Sequence, residues 1–99
     1  MAISNSGQKD TSKVIIAEKS FYRGSILIGV GEVASLLIYN CKKLGDGNVD
    51  NMVGELSVPA EEGAMAIDPI IGSIDCDKGI CAVLVGTAKY HVRGSALPF

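Results

Sequence analysis

Ninety-nine residues, 47% of them hydrophobic, with net charge −2 and a pI near 5.2, make one domain able to build a core, which excludes disorder for most of the chain. The nine basic residues are scattered, so the clustered positive surface that a nucleic acid partner needs is missing. No apolar run approaches the ~18–20 residues of a bilayer span, and the first residues show no basic-then-apolar signal pattern, although a processed secreted chain would read the same way.

Residues 1–12 (MAISNSGQKDTS) are polar and unpatterned. They read either as a flexible tail or as an N-terminal arm that orders on a partner, with Ser4, Gln8 and Lys9 as its candidate contacts. The body, residues 13–99, begins at Val14-Ile15-Ile16 and shows no later change of composition that would mark a second domain. Ser25–Val30 reads as a strand with Ile26, Ile28 and Val30 on one face, broken by Gly31-Glu32. Two readings compete for 33–44. A helix would bury Val33, Leu36, Leu37, Cys41 and Leu44 and stop on Gly45, but Gly31 stands where a capping side chain should be. A strand alternates Leu36 and Ile38 with Leu37 and Tyr39 and leaves 40–48 as a loop; the strand is preferred.

Met52–Val58 alternates, with Met52, Leu56 and Val58 inward and Glu55 and Ser57 outward. Pro59 ends that strand, and Glu61-Glu62 lies on a solvated turn. Ala64–Ile71 forms the next strand, with Met65, Ile67 and Ile71 on a common side. A hairpin at Asp77-Lys78-Gly79 leads into the last strand, Ile80–Arg93. Its first part is apolar on both sides, as in a strand covered on both faces. After Gly86 it alternates: Ala88, Tyr90 and Val92 on the buried side, Lys89, His91 and Arg93 on the polar side. The count is six or seven short strands joined by Gly, Asp and Pro. That pattern predicts an all-β domain, a small antiparallel sandwich or jelly-roll-like fold.

Three cysteines, Cys41, Cys76 and Cys81, form an odd set, unlike a disulfide-stapled module. Cys76 and Cys81 could face each other across the hairpin, as two buried thiols or as a disulfide; free thiols are preferred over a disulfide or a metal site. The single histidine, His91, leaves no Ser-His-Asp, Cys-His or metal-ligand set with more than one plausible member. Neither enzymatic activity nor a bound cofactor or metal is expected.

The succession GSILIG, ASLLIYN, a Gly/Asp/Asn loop, VGELSVPA and GICAVLVGTAKYHV, over residues 22–93, resembles that of small tailed-phage virion proteins. In that group an L-x-I-Y-N strand precedes a loop, a V-P-A strand and a terminal strand carrying G-T-A. The resemblance implies a β-sandwich on a capsid or tail surface, often a decoration (cement) protein. Such a protein assembles in the host cytoplasm and forms a homotrimer or another cyclic oligomer. Its other partner would be a major capsid or tail protein, with no nucleic acid and no membrane involved. Lys89, His91 and Arg93 then join the arm residues as candidate partner contacts. A receptor- or glycan-binding module is the alternative from another class, although five aromatic residues and no Trp offer few rings for stacking on sugars. EEGAMAI followed by VGTA also resembles small α+β domains of the YbjQ-like type, described as heavy-metal binders. That family places a helix directly before this segment, where Pro59 would cost a helix interior about 3 kcal/mol.

Overall fold

The computed structural model describes residues 3–5, 11–68 and 74–96, with side chains for 11–68 and 74–94. The described residues are almost entirely β, as the alternation predicts. The strands are β1 (Ile3–Asn5), β2 (Lys13–Ile16), β3 (Ser20–Tyr39), β4 (Met52–Val58), β5 (Glu62–Asp68), β6 (Ile74–Cys76) and β7 (Ile80–Ala96). All seven belong to one antiparallel sheet. The only helical element among them is a 3-10 turn at Leu44–Asp46. Residues 33–39 therefore lie in a strand. The segment before Gly63 is the turn after β4, so the helix wanted by the α+β resemblance is absent there.

β3 and β7 pair along their whole lengths and form the spine. On the far side of β3 lie β4 (against residues 34–39), β5 (against 25–30) and β6 (against 20–22). On the far side of β7 lie β2, against 80–82, and β1, against 93–95. Twenty extended residues would span roughly 66 Å, whereas the longest dimension of the molecule is 40 Å. The spine therefore bends. Its sharpest irregularity falls between the pairs Gly29↔Ala88 and Ala34↔Gly86, where residues 30–33 of β3 lie opposite Thr87 alone. Gly31 (φ +101°) and Gly86 (φ +86°) supply the left-handed backbone this bulge requires. The glycines that read as a break between two strands are thus a bend within one.

Bending brings the inner sides of the two halves together over one core. Tyr22 and Leu27 from one end of β3 share it with Leu36 and Ile38 from the other, and Ile80 and Ala82 share it with Ala88, Tyr90 and Val92 of the same strand. The ends of β7 meet directly: a Cβ at Gly94 would stand 2.8 Å from Cδ1 of Ile80. Leu56 and Val58 of β4 close the core as their alternation predicts, with Glu55 and Ser57 exposed. Within it the Tyr22 hydroxyl donates to Oδ2 of Asp68 at 2.8 Å and accepts from Oγ of Ser25 at 2.6 Å, which satisfies a phenol that has no access to water.

The hairpin expected at 77–79 is not formed. β6 pairs with the start of β3 and the first residues of β7 pair with its end, so Asp77-Lys78-Gly79 crosses between the two halves. Asn40 holds this crossing in place, donating through Nδ2 to Oδ1 of Asp77 at 2.7 Å and accepting from the Lys78 amide at 3.0 Å. Of the N-terminal stretch, residues 3–5 and 11–12 are among the described residues and lie along the spine. Ile3–Asn5 runs antiparallel to β7, Oγ of Ser12 accepts from the Leu84 amide at 2.9 Å, and the Thr11 carbonyl accepts from the Tyr90 hydroxyl. Gln8 and Lys9 lie outside the described residues.

Candidate interaction surface

The outer side of the sheet at β3, β5 and β7 carries partly exposed apolar side chains on adjacent strands. Residues directly opposite on neighbouring strands share a face, so the pairing defines two rows, His91–Ile26–Ile67 and Lys89–Ile28–Met65. Ile26 and Ile28 are half-buried by their neighbours, whereas Met65 is 58% and Ile67 54% exposed. Val30, opposite Glu62, continues the apolar strip towards the bend at 36% exposure. The three branched residues of Ser25–Val30 do share a face, and it is this outer one. The inner face there belongs to Leu27, paired on both sides with Ala66 and Tyr90. On the outer face the apolar side chains are gathered in a row and not scattered singly, which makes it the candidate surface.

Of the contacts expected from the sequence, the structure brings Lys89, His91 and Arg93 into one column on β7, flanking the strip. Lys89 and Arg93 are exposed and His91 is half-buried. The Ser4 backbone pairs with Gly94, one residue along from Arg93. In its row His91 has Ile26 and Ile67 as cross-strand neighbours. Met65, Ile67 and Ile28 were not singled out as contacts by sequence reasoning. Their alternation alone does not tell which face is inside.

At the opposite end of the molecule, the loop 40–51 and Lys78 border an open cleft of about 420 Å³ lined by Cys41, Lys42, Asp46, Asn48, Asn51 and Lys78. The loop's polar groups are turned on each other. The Asn48 amide donates to Oδ1 of Asn51 at 2.8 Å, the Asp50 amide donates to Oδ1 of Asn48 at 2.9 Å, and Nδ2 of Asn51 donates to the Asp46 carbonyl at 3.0 Å. Among the described residues, no three His, Cys, Asp or Glu side chains gather as a metal would require.

The cysteines are all buried free thiols. The neighbour of Cys81 is Cys41, not Cys76: Sγ of Cys81 donates to the Cys41 carbonyl at 3.1 Å, while Cys76 pairs with Ser20 at the other end of β3. Burial pushes the Cys76 thiol up to about 11, and burial followed by the Cys41 side chain pushes Cys81 up to about 12. Burial, followed by the bonded Asp68, also raises Tyr22 above the ordinary phenol value. Each group holds its proton more tightly folded than unfolded, so its contribution is complete below the unfolded thiol value near pH 8.5 and fades as pH rises. We expect the melting temperature to be level around neutral pH and to fall steadily from about pH 9 towards 11, read by circular dichroism. At pH 7 a thiol-selective aromatic disulfide should label none of the three cysteines in the native protein and all three in denaturant; prompt labelling of the native protein would contradict the burial.

No family model matches this chain, and neither the curated proteins nor the solved structures hold a match to it.

Proposed function

We propose that this chain is a virion structural protein of the decoration type. It assembles with itself into a homotrimer or another cyclic oligomer and attaches to a major capsid or tail protein. Its work is mechanical, holding neighbouring subunits together, and not enzymatic. The observation that carries self-assembly is the apolar strip of Ile26, Ile28, Val30, Met65 and Ile67 on the outer face of the sheet, beside the column Lys89, His91 and Arg93. Apolar surface arranged in rows is stabilised by removal from water, at roughly 25 cal/mol per Å². The virion assignment rests on the motif order of residues 22–93 and its resemblance to phage surface proteins. Buried free thiols accord with assembly in a reducing cytoplasm.

Two measurements test this reading. Light scattering of the purified chain should give a mass that is a multiple of 10.3 kDa; a monodisperse monomer at high concentration would overturn self-assembly. Antibodies against the chain should decorate intact particles in electron micrographs of the phage that encodes it, and absence from purified particles would overturn the virion role.

A further inference from the structure

The second strand of the outer rows, β5, is also an edge. It pairs with β3 on one side, and among the described residues no strand pairs with its other side. Alternate residues of such a strand point N–H and C=O groups away from the sheet, and natural edges are commonly blocked by lysine, proline, or a bulge. β5 reads Glu-Gly-Ala-Met-Ala-Ile-Asp, with neither lysine nor proline. Its irregularity lies at its first residues, opposite the stretch between Ile28 and Val30, and from Met65 to Asp68 the ladder is regular. The edge is therefore open where its most exposed apolar side chains stand.

We infer that β5 is the self-association strand of this protein, pairing antiparallel with β5 of a second copy about a two-fold axis that runs through Ala66. The inference rests on the self-assembly reading above and narrows its cyclic oligomers to a two-fold dimer. Two-fold pairing sets residues of the same face opposite one another and centres the register on a single residue. Three registers use most of the strand, centred on Ala64, Met65 or Ala66; the first sets Met65 opposite the partner's Gly63 and carries Ile67 past the end of the partner's strand. Centring on Met65 puts Glu62 opposite the partner's Asp68 at both ends, and like charges directly opposed are unfavourable. Centring on Ala66 puts Asp68 opposite the partner's Ala64 and Met65 opposite the partner's Ile67. In that register each of the two most exposed apolar side chains of β5 is covered by its counterpart, twice over, with no acid facing an acid. The strips of Ile26 and Ile28 behind them then run on into a single apolar face spanning both copies. Side-chain cover selects the Ala66 register and charge permits it, and this match of the strand to itself makes a second copy the occupant.

The register is read by cross-linking between copies. A mixture of the Met65→Cys and Ile67→Cys variants should form a disulfide-linked dimer on mild oxidation, and each variant alone should form far less, because the native cysteines are buried. Met65→Lys should fold normally, since the side chain is mostly exposed, and weaken association at least about tenfold in sedimentation velocity, from loss of cover and from a charge set against the partner's Ile67. Efficient cross-linking of Met65→Cys with itself would overturn the register. An oligomer unchanged by Met65→Lys would overturn β5 as the contact while leaving self-assembly standing through another surface. A wild-type chain that remains monomeric in the same experiment would overturn both.

Discussion

Tyr90→Ala should lower the unfolding free energy by about 3–5 kcal/mol, while Lys89→Ala, one residue away, should change it by no more than about 0.5 kcal/mol. The contrast follows from the strand. Tyr90 has no exposed surface, is paired with Leu27, and packs in the core formed by both halves of the bent sheet. Its hydroxyl donates to the Thr11 carbonyl, which ties the chain before β2 to the spine. Truncation leaves a ring-sized cavity and an unpaired carbonyl at once. Lys89 projects from the opposite side into water. Tyr90→Phe separates the two parts: the cavity is avoided, and only the hydrogen bond is lost, at about 1 kcal/mol. Urea unfolding of the three variants checks this. Similar losses for Tyr90→Ala and Lys89→Ala would mean that β7 does not present alternate faces to core and solvent.

Gly86→Ala should be strongly damaging, at about 2–4 kcal/mol. Gly86 lies at the bend with φ +86°, and a Cβ there would stand 2.5 Å from the Val33 carbonyl oxygen and 3.2 Å from Cα of Ala34. Both are backbone atoms of the facing strand, so relief requires the two spine strands to part. Gly31→Ala is the matched control. It has φ +101° and nothing within 4 Å of its Cβ, so it carries only the conformational cost of about 1–2 kcal/mol. Urea midpoints for the pair give the answer directly, and a Gly86→Ala protein no less stable than Gly31→Ala would remove the close approach at the bend.

Much of the local structure was legible because β-strands write their faces into the sequence with period two. The alternation of 88–93 placed Tyr90 and Val92 inside and Lys89 and Arg93 outside, and that of 52–58 placed Leu56 and Val58 inside. The competing helix at 33–44 had the right apolar spacing but no cap, and the strand that displaced it buries Leu36 and Ile38. The candidate surface was half legible: the basic column on β7 was visible as the polar side of a strand, whereas its apolar neighbours were not visible as a surface. Ile26, Ile28 and Val30 share a face by their spacing, but nothing local says that this face is the outer one. Leu27 goes inside because Tyr90 and Ala66 stand beside it, from β7 and β5.

That the chain is all-β, that its core is made of alternating strands, and that its thiols are few and unsuited to a disulfide framework could all be read before any contact was known. Each of these follows from composition or from a pattern two residues long. How the strands are joined was settled by long-range pairing. A glycine permits a turn and a bulge equally well, so Gly31-Glu32 could end a strand or bend it. The partner chose, because β7 runs past the bend and pairs with both halves of β3. The same folding of the sheet made Asp77-Lys78-Gly79 a crossing instead of a hairpin and gave Cys81 the company of Cys41 instead of Cys76. Contacts between residues forty positions apart leave no periodic trace in the chain, and they arise here from the bend that brings the two halves of one sheet face to face.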